Sequence, residues 1–471
     1  MVQNEDLKFT ATGDENGFVN IAGISPFTKK LIVSRIGYET KIVEIFSLKK
    51  GVNTNTAIIY LSTAISSLKE ITVRASANSS SGGVFKTISD LDIHLRPINN
   101  SQEVLRMVPG LFIGQHAGGG KSEQIFLRGF DIDHGTDINL SVDGMPVNMV
   151  SHAHGQGYAD LHFLIPEIIE KVNFNKGPYF ADKGNFATAG FVDFKTKNYL
   201  ENNFVKADGG QFNTFRGITG LNLLKQKGER RNQSLYFAGE ASFTKGFFDS
   251  PQNFNRFNGM LKYHGSLNNN TTLTALVSGF TSKWNASGQI PDRAVNDGAI
   301  GFYGAIDNTE GGQTSRYNAN VELVNNFDNG GVLRNRIYYT HYKFKLYSNF
   351  TFFKEDPING DQIRQGEDRN LLGYTSSYQK DFLLGNIKTQ TNAGVQVRYD
   401  IIDNLELART KNRNITTMPI MFGKVNELNT AAFWSQKFSL TDKLAIAAGL
   451  RADYFSNRYN CLLYTSDAAD E

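Results

Sequence analysis

The chain has 471 residues with 49 basic and 46 acidic side chains, a formal net charge of +3, so no bulk field draws it to nucleic acid or to an anionic surface. It holds 35 Phe, 19 Tyr and 45 Gly against only 10 Pro, a balance that favours strands and tight turns over helix or disorder. No run reaches the roughly 18 apolar residues of a membrane helix, and the single cysteine, Cys461, rules out an intramolecular disulfide and a cysteine-based zinc site.

The start, residues 1–5, lacks the basic and apolar runs of a secretory signal, so either the protein is cytosolic or its true beginning is missing. Short strand-like runs then alternate with turns at Phe18–Ala22, Lys30–Ile36, Lys41–Phe46 and Ala57–Leu61. Their lengths and Gly or Asn punctuation predict a small β-sandwich over 1–67. The segment Ala75–Gly83 (ASANSSSGG) is small and polar, the composition of a flexible linker.

Over 84–198 the pattern is mixed. A helix is expected from Ser101, placed to cap it, to the Pro109-Gly110 stop. Strands follow near Gln124–Leu127, Ile138–Val142, Lys171–Phe174 and Phe191–Lys195, which makes a compact α+β unit.

From 199 onward the texture becomes strict two-residue alternation, as in Tyr317–Leu323, Ala393–Tyr399 and Leu235–Phe243. About eleven such segments are long enough for the roughly 9–11 residues that a tilted strand needs to cross a bilayer. Backbone groups in hydrocarbon must all be paired, so crossing strands must close into a barrel. The fold class is therefore mainly β: part of a transmembrane antiparallel barrel over 199–460, an α+β domain, and a partial N-terminal sandwich. The tail 461–471 breaks the alternation and resembles a translated sequencing adapter, so it is left out of the fold argument.

Four motifs in order and in register carry a resemblance. They are Val104–Leu111 (VLRMVPGL), Ile125–Phe130 (IFLRGF), Val142–Val147 (VDGMPV), and Ile165–Val172 (IPEIIEKV) followed by Lys176–Tyr179 (KGPY). Together they resemble the plug of a TonB-dependent outer-membrane receptor of the Bacteroidota type. Gly13–Phe18 and Leu31–Thr40 are similar to the carboxypeptidase-regulatory-like sandwich that such receptors carry. The resemblance implies a plug at 84–198 and about 11 of a barrel's roughly 22 strands, truncated at both ends. It also implies location in the outer membrane of a Gram-negative bacterium. The family pattern departs here in having Lys176-Gly177-Pro178 in place of Arg-Gly-Pro.

The resemblance further implies energised import of a scarce ligand, a siderophore, metal chelate or other nutrient, with no enzyme activity and no cofactor. The partners would be TonB with its ExbB/ExbD complex, an extracellular small ligand and outer-membrane lipid. Leu68–Ala75 resembles a TonB box, with Glu70, Ile71, Thr72, Val73, Arg74 and Ala75 offered for strand addition; the same segment could equally be the last strand of the sandwich. The plug-motif residues are Arg128, Gly129, Asp143, Gly144, Lys176, Gly177 and Pro178. Arg128 is expected to make bidentate bonds to wall carboxylates, with Lys176 held beside it in a polar lumen, and Asp143-Gly144 to form a tight turn.

Six of the eight histidines lie between His94 and His162. His152, His154 and His162 could ligate a metal, or the group could hydrogen-bond to the lumen wall. His116, His152, His154, Tyr158, His162 and, on the barrel's aromatic loops, Trp284 are the candidate ligand contacts, and Gly118–Ser122 (GGGKS) reads as a flexible apical loop of the plug. No nucleophile elbow, phosphate loop or zinc-protease pair is present. A passive surface-binding or adhesion barrel is the alternative reading, and a metal-dependent hydrolase using His152, His154 and Asp160 a third.

Overall fold

The computed structural model describes residues 2–4, 10–11, 19, 30–33, 41–44, 59–61, 86–98, 100–115, 119–132, 136–155, 157–224, 233–441 and 443–464. Its contacts divide the chain into two units, Met1–Asn78 and Ser79–Glu471. In the first, β1 (Val2–Asn4), β2 (Thr10–Ala11), β3 (Lys30–Val33) and β4 (Lys41–Glu44) form one antiparallel sheet in the order β2-β1-β3-β4. The TonB-box-like segment and linker expected at 68–83 lie outside the described residues.

The second unit begins with the α+β region. Here β5 (Lys86–Ser89), β9 (Ile138–Val142), β10 (Met145–Pro146), β11 (Ile169–Lys176) and β12 (Gly190–Thr196) make a five-stranded sheet ordered β10-β9-β12-β11-β5. A three-stranded sheet of β6 (Leu111–Gly114), β7 (Gln124–Leu127) and β8 (Phe130–Ile132) packs beside it. Strands β9 and β12 run parallel, pairing Gly190 with Ile138 through Phe194 with Val142. Val104, Leu105, Ile138, Leu140, Ile169, Val172 and Phe194 are all fully buried in the core, each contributing roughly 1.5–3 kcal/mol by leaving water. The expected helix is real but short, Ser101–Val104 running into a 3-10 turn at Leu105–Met107. Asn100 caps it, its side chain accepting from Glu103 N at 3.0 Å. Ser101 instead donates its hydroxyl to the Leu164 carbonyl.

The remaining strands form one eleven-stranded antiparallel meander in chain order, hereafter the wall. They are β13 (Phe204–Gly210), β14 (Thr214–Asn222), β15 (Gln233–Thr244), β16 (Phe254–Ser266), β17 (Thr271–Asn285), β18 (Gly311–Asn326), β19 (Gly331–Ser348), β20 (Ile363–Leu384), β21 (Ile387–Lys411), β22 (Ile415–Ser439) and β23 (Ala445–Tyr464). Turns 267–270, 327–330, 385–386 and 440–444 are tight at one end, whereas the other end carries the longer loops 245–253, 286–310 and 349–362 beside the short turns 211–213 and 412–414. That asymmetry is the one seen in outer-membrane barrels. The tail set aside from the sequence also contributes: Cys461 pairs with Gly423 and Leu463 with Phe422, extending β23. Strand pairing requires only backbone groups and an open neighbouring edge, so the lost alternation does not prevent it.

The two faces of the wall differ as period-two patterning demands. Along β18 and β19 the inward side chains Arg316, Asn318, Asn320, Tyr338, Thr340 and Tyr342 are buried against the plug-like unit. The outward ones Tyr317, Val321, Ile337 and Tyr339 are exposed, continuing into Leu372, Tyr374, Val395 and Trp434. The outward residues form rows across paired strands, for example Val277–Ala319–Tyr339–Leu372–Tyr399. An apolar band over exposed sheet is the signature of a lipid-facing surface.

Candidate functional site: the interface between the α+β unit and the wall

The TonB-box residues Glu70, Ile71, Thr72, Val73, Arg74 and Ala75, and the candidate His116, lie outside the described residues. The other motif residues are placed. Arg128 (φ 51°) and Gly129 (φ 82°) form the two-residue turn between β7 and β8, and both adopt the left-handed backbone that such a hairpin requires. Arg128 is exposed and meets no wall carboxylate among the described residues, so the expected bidentate lumen contact is corrected. A side chain at a hairpin tip points away from the sheet it closes. Lys176 ends β11 close to it, and burial together with the adjacent Arg128 lowers the Lys176 pKa. Gly177 (φ 83°) donates its N–H to Ala189 O at 2.8 Å and turns the chain into the exposed Pro178.

Asp143 (φ 48°) and Gly144 (φ 75°) make the expected turn between β9 and β10, and Asp143 does more than turn the chain. Its carboxylate accepts from Thr196 Oγ1 at 2.6 Å and Thr196 N at 3.2 Å, and lies 3.5 Å from Lys262 Nζ on the wall. Burial alone would raise the carboxyl pKa, but Lys262, Lys195 and the Thr196 donors outweigh it and hold the group below its ordinary range.

The loop 147–162 brings several candidates together. His152 stacks on Tyr158 at 4.2 Å and 5°, with Phe344 4.5 Å away at its edge. His154 N donates to His152 Nδ1 at 3.2 Å. The neutral ring therefore carries its proton on Nε2 and donates it to Tyr342 OH, 3.2 Å away. Tyr158 is buried, accepts from Ser122 N at 2.7 Å, and has its pKa pushed well up by burial. Trp284, expected in an exposed aromatic loop, is only 1% exposed at the end of β17 and belongs to the same cluster as Met149, Tyr158, Tyr342 and Phe344. A Cβ on Gly120 would overlap its indole, so this glycine is what lets the loop before Ser122 lie against the wall. That apex, expected to be flexible, is anchored by Ser122, which is fully buried and bonded to Ala159 O.

His162 is committed elsewhere. Its Nδ1 lies 2.7 Å from Asp160 Oδ1, which also accepts from His162 N at 2.7 Å, and Gln102 Nε2 sits 3.0 Å from the ring. Burial would raise Asp160, but His162 and Arg316 outweigh it and leave its pKa lowered. Among the described residues no group of three His, Cys, Asp or Glu side chains is arranged to hold a metal. The proposed set His152, His154 and His162 is thus not assembled: the first pair faces aromatic rings and the third a carboxylate and an amide.

What sequence reasoning missed is how the wall grips the loop. Pro146 O accepts from Arg316 Nη2 at 2.9 Å, Asn148 O from Arg398 Nη1 at 2.8 Å, and Ser151 O from Arg369 Nη2. Wall carboxylates take the amides: Ser151 N donates to Glu427 at 3.2 Å and Ala153 N to Glu367 at 2.8 Å. Arg369 also pairs with Asp400 at 2.6 Å and with Glu367 at 3.0 Å, and Arg398 with Asp400 at 2.8 Å, so these buried charges offset one another, whereas Arg316 bonds to Asn318 and Pro146 O. Side-chain pairs also join the layers directly, Asp143 with Lys262 and Glu167 with Arg216 among them. Glu167 receives Arg216, which bonds Glu240 at 2.6 Å, and Glu240 in turn receives Arg256 at 2.7 Å. The available signal was charge at alternate positions on the face opposite the apolar band, as at Glu367 and Arg369 or Arg398 and Asp400.

The wall thus presents a polar face to the α+β unit and an apolar face to the outside. Residues 77–191 match the TonB-dependent Receptor Plug Domain family. The chain carries a TonB-dependent receptor plug, set in the fold of those receptors. It resembles the unliganded ferric citrate transporter FecA at TM-score 0.69 and 12% identity, over 81% of this chain and 57% of that one. It also resembles the ferripyoverdine receptor of the outer membrane of Pseudomonas aeruginosa (TM-score 0.63, 13% identity, 81% and 52%). A third similar structure is the ferric-catecholate import receptor Fiu from E. coli K12 (0.60, 15%, 82% and 61%). The chain therefore spans little more than half the length of these solved relatives, and its plug is held by wall groups that bond mainly to plug main chain.

Proposed function

We propose that this chain is the plug and part of the barrel of an energised outer-membrane importer, taking up a scarce metal chelate from outside a Gram-negative cell. The observation that carries this is a folded plug held in a polar lumen while the opposite face of the same wall is apolar. The similar proteins are named for ferric citrate, ferripyoverdine and ferric catecholate, which supports an iron chelate as the class of cargo. The plug contacts suit a seal that must open. Each wall bond to a plug amide or carbonyl contributes only about 0.5–1.5 kcal/mol net, and water can take its place as the plug is drawn aside.

The pull would come from TonB, driven by ExbB/ExbD, adding a strand to Glu70–Ala75. Changing Ile71 and Val73 to Pro removes two backbone donors from that segment. Loss of energised uptake, with surface binding of the chelate retained, is the expected result; undiminished uptake would refute this placement of the box. A passive adhesion barrel would bind equally without the proton-motive force. The hydrolase reading finds no support, because Asp160 is bonded to His162 and not to His152 or His154.

A further inference from the structure

The outer face of the wall changes character at one level. Above the row of Tyr317 and His341, toward the long loops, the outward positions become Thr281, Ser315, Lys343 and Asp368, then Lys283, Gln313, Lys345 and Glu406. Three adjacent strand pairs carry register shifts at this height, between Gly366 and Asp368, Ile402 and Leu405, and Phe422 and Gly423. Bulges bend the strands that bear them. The outside of the sheet is hollowed here into a cavity of about 750 Å³, lined among others by Lys283, Gln313, Lys343, Lys345, Asn404 and Phe422.

The charges are unevenly matched. Asp368 is taken by Lys343 at 3.0 Å and Glu406 by Arg364, whereas Lys283 and Lys345 have no carboxylate partner among the described residues. Lys343 and Lys345 are two positions apart on β19, about 7 Å, and Lys283 lies two strands away from Lys345, about 10 Å. A triangle of that size lets three flexible ammonium groups converge on one phosphate from different sides. Directly below, Tyr317, Val277, Val321 and Ile337 are outward and exposed, a track for acyl chains.

We infer that Lys283, Lys343 and Lys345 form a binding site for the phosphorylated headgroup of an outer-leaflet lipid. The inference rests on the proposed membrane location and adds a specific ligand to the outside of the wall. A basic residue next to a charged membrane surface is worth about 1 kcal/mol, so each lysine supplies about fivefold in affinity and the three together about a hundredfold.

The test uses the purified full chain in detergent micelles, with bound lipid counted by native mass spectrometry. The probes are bisphosphorylated lipid A, the same lipid stripped of phosphate, and inorganic phosphate. Wild-type protein should retain bisphosphorylated lipid, and retention should fall about a hundredfold in the Lys283→Ala/Lys343→Ala/Lys345→Ala variant and recover with Arg at all three positions. Equal retention of the dephosphorylated lipid would overturn the inference, as would an unchanged triple variant. Displacement of the lipid by equimolar inorganic phosphate would also overturn it, since the site would then be one for the free anion. Acyl-chain quenching of Trp434 in the triple variant separates the outcomes: if it persists while lipid retention was never phosphate-dependent, the headgroup site alone is wrong, and if it is absent the membrane reading fails as well.

Discussion

The Glu167 carboxylate on the plug receives both terminal nitrogens of Arg216 on the second wall strand, at 2.7 and 2.8 Å. Both partners are largely buried, and Arg216 reaches on to Glu240. Burial would raise the Glu167 pKa, but the Arg216 bonds and charge outweigh it and hold the pKa below 4.5. A depressed carboxyl stabilises the fold above its unfolded pKa and loses that contribution as pH falls through the folded value. Glu167→Ala should therefore cost about 1.5–3 kcal/mol at pH 7, and the gap from wild type should close as urea midpoints are measured at decreasing pH below 4.5.

The loop residue Glu310 behaves in the opposite sense. It is 4% exposed, its Oε1 has no hydrogen-bond partner, and burial pushes its carboxyl up to about 8. Its contribution is complete below the ordinary value of 4.5 and is lost as pH rises through about 8. Amide exchange in 286–310 should accelerate between pH 7 and pH 9 in wild type. In Glu310→Gln, which keeps the shape without the charge, it should not accelerate beyond the intrinsic chemical rate.

Gly120→Ala places a methyl group against the Trp284 indole. Overpacking of this kind costs about 1–3 kcal/mol. In a Trp434→Phe background the emission of Trp284 should shift red as the apex lifts from the wall; an unchanged spectrum and midpoint would show that the apex does not sit on this ring.

Because His152 and His154 face Tyr158 while His162 faces Asp160, these rings do not act as one metal centre. Zinc titration calorimetry of wild type and of the His152→Ala/His154→Ala/His162→Ala variant should give the same stoichiometry. Loss of one high-affinity zinc per chain in the variant would show that the loop can rearrange into a metal site.

Much of the wall was legible in the sequence because period two is a local signal: Tyr317–Leu323 and Ala393–Tyr399 announce strand, face and medium at once. The Asp143-Gly144 turn was legible for the same reason, since two residues suffice to encode it. Plug-to-wall contacts were not. Arg128 looked like a lumen cation until its position at a hairpin tip was seen, and Trp284 looked like a loop aromatic until the Gly120 apex was found against it. Pairings such as Ala153 with Glu367 join residues far apart in the chain. They also involve plug backbone, which every residue carries, so no motif marks them.

The chain has two tryptophans, which sit on opposite sides of the wall: Trp284 is 1% exposed inside and Trp434 is 43% exposed on the apolar outer band. Fluorescence quenching by lipids brominated along their acyl chains reads contact with hydrocarbon directly. With the Trp284→Phe and Trp434→Phe variants reconstituted in such bilayers, strong quenching of Trp434 and little quenching of Trp284 is expected. Equal quenching of both, or a Trp434 quenched by aqueous iodide and untouched by brominated chains, would contradict a lipid-facing wall around a plug.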